Sequence, residues 1–102
     1  MTKIRRRYTT VDGKNDWIVS ATYDETKLDT THWFETRIKA VNETTGKEYP
    51  FPPEIALYRI GEVEHSFRDY VKLDFGGDRE AAINHFMSTI YRRVYSFIER
   101  GH

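Results

Sequence analysis

The stretch between Gly76 and Gly101 is a long amphipathic segment, and it constrains the fold more than any other part of this chain. Asp78 is placed to cap a first helical turn, and Gly101 to end the helix in a left-handed conformation. The sequence therefore predicts a helix over roughly residues 78–100. Its large apolar residues recur at steps of three and four, which puts them on one stripe: Ile83, Phe86, Met87, Ile90, Tyr91, Val94, Phe97 and Ile98.

Length and composition limit the classes of protein that the chain can belong to. Its 102 residues suit a single domain spanning 1–102. Hydrophobic residues make up 38% and no run approaches a bilayer span of roughly 20 apolar residues, so we expect no membrane and a cytoplasmic location. The absence of cysteine excludes disulfides, thiolate nucleophiles and zinc-thiolate sites. Sixteen basic residues balance sixteen acidic ones, so any electrostatic recognition must be local.

The N-terminal third predicts a β-hairpin. Strands over residues 3–10 and 16–23 flank the turn signal Asp12-Gly13. Register shifts of two residues preserve the side of the sheet, so the shared face does not depend on the turn type. Ile4, Arg6, Tyr8, Trp17, Val19, Ala21 and Tyr23 are predicted to lie on that face.

Further strands are predicted over 32–42, 54–60 and 65–75. In the first, the core face is predicted to carry Phe34, Thr36, Ile38 and Ala40. Residues 54–60 suit a strand or a short helix, and the strand is favoured. The segment from Tyr49 to Pro53 is predicted to follow a sheet edge or to leave the sheet, because its three prolines cannot donate ladder hydrogen bonds. The predicted fold is α+β, a four or five stranded antiparallel sheet with the long C-terminal helix packed on one face.

The sequence carries no catalytic or metal motif. Its four histidines, His32, His65, His85 and His102, are scattered without the spacing of a local metal-ligand pair. We therefore predict no catalytic residue, no metal site and no cofactor. The residues Gly76-Gly77-Asp78 are interpreted as a helix start, since Asp78 would repel an anion from the amides that it caps.

Basic residues cluster locally in spite of the neutral total. In a strand, Lys3, Arg5 and Arg7 project from the face opposite Ile4 and Tyr8. A nucleic-acid-binding sheet face is predicted from Lys3, Arg5, Arg7, Trp33, Arg37 and Lys39, provided that the two strands are neighbours. The alternative is a solvated face whose arginines pair with Glu35 and nearby acids.

A second set of residues predicts a protein interface. Aromatic side chains and arginine anchor many protein interfaces. The residues predicted to bind a partner are Tyr49, Phe51, Tyr91 and Tyr95. An exposed sheet face or edge would equally support a homodimer.

Two segments, Trp33-Phe34-Glu35-Thr36-Arg37-Ile38 and the eight residues from Asp78 to His85, resemble a pattern in small uncharacterised proteins of bacteria and phages. The resemblance implies a strand-rich domain with a helix, points to a phage or mobile-element origin, carries no activity, and would pair Glu35 with His85. Our first hypothesis is a noncatalytic binding or assembly module that binds a protein partner or itself. The second is a nucleic-acid-binding protein, and the third is a small enzyme with a histidine and carboxylate site. The sequence specifies no small-molecule ligand.

Overall fold

Antiparallel strands and a long C-terminal helix form the framework of this α+β chain. The computed structural model describes residues 2–28, 33–52, 55, 57–59 and 67–101, and at 33, 34 and 57–59 it describes the backbone alone. The elements in chain order are β1 (Thr2–Thr9), β2 (Asp16–Tyr23), α1 (Glu25–Leu28), β3 (Trp33–Glu35), β4 (Arg37–Asn42), β5 (Leu57–Arg59), α2 (Phe67–Asp74) and α3 (Arg79–Glu99).

The predicted hairpin of β1 and β2 is confirmed, and β4 pairs with the other side of β2. All three strands run antiparallel in the order β1-β2-β4. Gly13 has a φ of 74° in the hairpin loop, and its amide donates to the Thr10 carbonyl at 2.8 Å. The Asp12 carboxylate accepts from the Thr10 hydroxyl and the Lys14 amide, and these bonds, the Thr10 bond first, lower the pKa of Asp12.

One face of the three-stranded sheet, the inner face, belongs to the hydrophobic core. Val19, Ala21 and Ala40 are wholly buried there, and Ile4 and Ile38 pack against them. Small side chains at Ala21 and Ala40 leave room for the large side chains of α3. The stripe predicted on the helix is confirmed, since all of its residues are buried except Phe97, which is half-buried.

Both predicted ends of α3 are confirmed. The Asp78 carboxylate accepts from the Ala81 amide at 3.0 Å, which satisfies one of the unpaired donors of the first turn. Gly101 has a φ of 69° and its amide donates to the Ile98 carbonyl at 3.0 Å. These caps fix the helix at a length of about 31 Å for its 21 residues.

Tyrosines join β1 to α3. The Tyr91 hydroxyl donates to the Ile4 carbonyl at 3.0 Å. The Tyr8 ring stacks on Tyr95 with centroids 4.2 Å apart, and its hydroxyl donates to the Glu99 carboxylate. Burial raises the pKa of Tyr91 to about 12. Burial, followed by the hydrogen bond to Glu99, likewise raises the pKa of Tyr8 to about 12.

The strand predicted over 65–75 is wrong, because its described residues from Phe67 to Asp74 form the helix α2. Phe67 and Val71 are buried four residues apart, whereas Leu73 is 68% exposed. A strand would have placed Val71 and Leu73 on one face. Residues 65 and 66 lie outside the described part of the chain.

The predicted sheet of four or five strands is not confirmed. The strand predicted over 32–42 is divided at Thr36, so that β4 joins the three-stranded sheet and β3 pairs with β5 in a separate two-stranded sheet. Of the strand predicted over 54–60, Leu57–Arg59 is observed, and residues 54, 56 and 60, like residue 32, lie outside the described part. Of the segment predicted over Tyr49–Pro53 to follow a sheet edge or to leave the sheet, Tyr49 lies at the edge of β4, where its amide donates to the Ala40 carbonyl at 2.9 Å.

Replacing Ile90 with alanine should lower the free energy of unfolding by about 2 to 5 kcal/mol, because the side chain is wholly buried and its loss leaves a cavity. The matched control Asn84→Ala, on the exposed side of the same helix, should change it by less than about 0.5 kcal/mol. Urea denaturation followed by circular dichroism measures both, and equal losses would contradict the assignment of the stripe.

Alkaline pH should weaken the contact between β1 and α3. Because the folded pKa of Tyr8 and Tyr91, about 12, exceeds the ordinary value of 10.0, their stabilising contribution is complete below pH 10 and is lost as the pH rises toward 12. Urea denaturation at pH 8, 10 and 11 should show this decline. Tyr91→Phe should show a smaller decline, and an identical pH dependence in both proteins would contradict the assignment.

Candidate nucleic-acid interface

The sheet face that α3 leaves uncovered carries the predicted cations in cross-strand rows. Lys3 on β1 and Arg37 on β4 both lie opposite Thr22 of the central strand. Strand alternation explains this arrangement, since each cation is next to an inner-face residue such as Ile4 or Ile38. In the next row, Ser20 separates Arg5 from Lys39.

A third row completes what we call the basic face, defined as Lys3, Arg5, Arg7, Arg37 and Lys39. Arg7 lies opposite Ile18, which pairs with Val41. All five cations are exposed, and the central residues between them are uncharged and half-buried. Neighbouring strands lie about 4.8 Å apart and alternate residues about 6.7 Å apart, so four of the Cα atoms mark a rectangle of about 10 by 7 Å.

Between described residues, the ion pairs of the basic face occur at its Arg7 end. The Arg7 guanidinium contacts the Glu43 carboxylate at 2.8 Å and the Asp16 carboxylate at 3.4 Å. Among the described residues, Lys3, Arg5, Arg37 and Lys39 form no ion pair. The predicted alternative was a face whose arginines pair with Glu35 and nearby acids. Pairing with nearby acids is observed for Arg7, whose partners are Glu43 and Asp16.

The remaining cation of β1, Arg6, points the other way. Its guanidinium lies 4.4 Å from the centre of the Tyr91 ring on α3. This cation-π contact stabilises the packing of the hairpin on the helix. Arg6 consequently belongs to the inner side, as the predicted face assignment required.

Trp33 is not brought onto the basic face by the described backbone. It lies in β3, which pairs with β5 in the separate sheet. The Trp33 side chain is outside the described part of the structure. The basic face therefore consists of β1 and β4 cations with β2 between them, whereas the prediction had assumed that the cationic strands were neighbours.

The aromatic residues predicted to bind a partner contact the protein's own core. Tyr49 and Tyr91 are 8% and 1% exposed, so they offer almost no surface to another molecule. The Tyr49 hydroxyl donates to the Phe97 carbonyl at 3.1 Å, and Phe51 stacks on Tyr49 with centroids 4.8 Å apart. Tyr95 and Phe51 remain half-buried. A partner role for these four residues stays a prediction.

The described histidine has an aromatic environment. The exposed His85 ring lies 5.6 Å from the Phe75 ring and 5.3 Å from the Phe86 ring, measured between centroids. Glu35, suggested as its partner, is exposed at the end of β3 opposite Leu57. Within residues 2–28, 33–52, 55, 57–59 and 67–101, no three histidine or acidic side chains are grouped to hold a metal ion. His32, His65 and His102 lie outside those ranges.

A groove that the sequence did not predict lies beside the C-terminal half of α3. Arg92, Arg93 and Arg100 line it together with apolar residues from the segment after β4. From the sequence alone, these arginines are explained as favourable cations near a helix C-terminus. The spacing of the arginines along the helix could have indicated a cationic surface. The groove itself could not be predicted, because its apolar residues Pro52 and Ile55 come from a segment distant in sequence.

Comparisons with protein-family models, curated proteins and solved structures each found no match to this chain. No described helix is both long and apolar enough to cross a membrane. The chain presents two cationic surfaces, the basic face and the groove beside α3.

Replacing Lys3, Arg5, Arg37 and Lys39 together with glutamine should leave the free energy of unfolding within about 0.5 kcal/mol per site, because these side chains are exposed and form no described ion pair. Relief of repulsion between like charges acts in the stabilising direction. Urea denaturation in low salt measures the effect. Arg7→Gln, which removes exposed ion pairs, should cost at most about 1 kcal/mol. A loss of several kcal/mol in the fourfold variant would assign the cations to stability instead of binding.

Proposed function

We propose that this chain is a noncatalytic binding module that holds the phosphate backbone of nucleic acid on its basic face. The observation that supports this proposal is the row arrangement of Lys3, Arg5, Arg37 and Lys39 on one open sheet surface without a described ion partner. Phosphate oxygens would supply these side chains with hydrogen-bond acceptors and with negative charge to pair with.

The sign of the charges favours this reading over simple edge protection. Charged side chains on β1 would discourage pairing of this edge strand with another chain. Edge protection requires charge, however, and acidic residues would serve as well as basic ones. The chain holds sixteen acidic residues, yet the outward positions of β1 and β4 in the first two rows are all basic.

The proposed contact is sequence-independent. Contacts to phosphate position a protein on nucleic acid, while base edges or stacked bases supply sequence selectivity. The uncharged centre of the basic face, Ser20 and Thr22, offers hydroxyl groups and no aromatic ring. The proposal therefore does not depend on the Trp33 side chain, and duplex and single-stranded nucleic acid share the same phosphate chemistry.

The salt dependence of binding tests the proposal quantitatively. Four phosphate contacts predict that log Kobs falls against log salt concentration with a slope of about −3.6 for duplex DNA and about −2.8 for a single strand. Fluorescence anisotropy of a labelled 20-mer, in both forms, between 50 and 200 mM salt measures these slopes. The double variant Lys3→Gln/Arg37→Gln should reduce the duplex slope by about 1.8.

The matched control is Lys14→Gln/Lys47→Gln, which removes the same charge from exposed loop positions at the opposite end of the sheet. It should leave both slopes unchanged. If the two double variants have equal effects, binding depends on the net charge of the chain and not on the position of the cations, and the proposed face is rejected. Absence of binding at 50 mM salt would reject it as well.

A further inference from the structure

The groove beside α3 is a second candidate binding site, separate from the basic face. It has a volume of about 640 Å³, in the range of ligand-binding clefts. It lies on the helix, whereas the basic face is on the side of the sheet that the helix does not cover. Among its described lining residues, Pro52, Ile55 and Phe97 are apolar, and Arg92, Arg93 and Arg100 are cationic.

The apolar part of the groove is held in place by aromatic packing. Ile55 is buried, and its amide donates to the Pro52 carbonyl at 3.1 Å. The Tyr49 ring packs edge-on against the Phe97 ring with centroids 5.8 Å apart. The centroid of the Phe51 ring lies 5.9 Å from that of Phe97. An apolar side chain of a ligand would therefore meet a preformed surface.

The polar part is cationic and runs along the helix. Thr89, Arg93, Ser96 and Arg100 follow one another at steps of three and four residues, over about 16 Å of helix. Arg92 and Arg100 are exposed. No acidic residue is among the described lining residues. The helix dipole accounts for Arg100 at the C-cap, but its effect fades within the last turn and does not reach Arg92.

We propose that this groove binds an extended acidic peptide segment of a partner protein. Carboxylates would pair with Arg92 and Arg100, since the planar guanidinium forms bidentate hydrogen bonds with a carboxylate. Between them, an apolar side chain would contact Ile55 and Phe97. Arg92 and Arg100 lie about 12 Å apart along the helix, which is close to the roughly 13 Å between the first and last Cα atoms of an extended five-residue segment. A phosphate backbone would satisfy the arginines and leave the apolar surface without a partner.

The test is a ¹H–¹⁵N NMR titration of the full chain with the peptide DELDE. We expect saturable shifts concentrated on amides of residues 89–100. The peptides NQLNQ, which lacks the carboxylates, and DESDE, which lacks the leucine, should each bind at least tenfold more weakly.

Two variants examine the two halves of the site. Arg92→Gln/Arg100→Gln removes the charges, and Ser96→Trp fills the groove while keeping them; each should weaken DELDE binding at least tenfold. The control Lys3→Gln/Arg37→Gln should leave it unchanged. Because all of these positions are exposed, the NMR spectrum of each variant also confirms that it folds.

Several results would overturn the proposal. These are the absence of saturable shifts, equal binding of DESDE and DELDE, insensitivity to Ser96→Trp, or losses in the basic-face variant that equal those in the arginine variant. Tighter binding of a thymidine oligonucleotide at residues 89–100 would assign the groove to nucleic acid. Such outcomes are independent of the salt slopes expected for the basic face.

Discussion

Burial of the α3 stripe against the inner face of the three-stranded sheet is the contact on which the rest of the structure depends. Val19, Ala21 and Ala40 on the sheet meet Phe86, Ile90 and Val94 from the helix in one core. The helix covers one face of the sheet, and the described cations on the opposite face are exposed to solvent. The same contact that stabilises the fold therefore decides which side chains of β1 and β4 are available for binding, and they are the basic ones.

The elements with a regular period were predictable from sequence. Alternation set the faces of β1 and β2, and the helical period and caps set α3. The period failed at residues 67–74, where Phe67, Val71 and Phe75 suit a helix at steps of four and also the alternation of a strand. In a strand, Asp69 and Leu73 would lie on the same face as Phe67 and Val71. The helix instead separates them from that buried pair, and Leu73 is exposed on α2. The division at Thr36 carried no such signal.

The candidate sites depended on information that a local pattern does not contain. Alternation predicted which cations point outward, but the position of β2 between β1 and β4 follows from long-range pairing. Tyr49 and Tyr91 were predicted at an interface because aromatic side chains anchor many protein interfaces, where the apolar ring and the polar hydroxyl of tyrosine can both be used. The same chemistry suits the core when a carbonyl is within reach, and Phe97 and Ile4 provide those carbonyls. The groove depends on Pro52 and Ile55 lying beside α3, which no spacing within the helix reveals.

The zero net charge of the chain determines how its cationic surfaces act. Because sixteen acids balance sixteen bases, the field at a distance is small, and long-range steering contributes little to association. The attraction of the basic face is felt within roughly a Debye length, about 8 Å at physiological salt. Binding there should be weak for an isolated chain and strengthened when a second contact holds the module near its target. The peptide contact proposed for the groove on α3 would act in this way without competing for the basic face, because the two surfaces use different residues and lie on different layers of the fold.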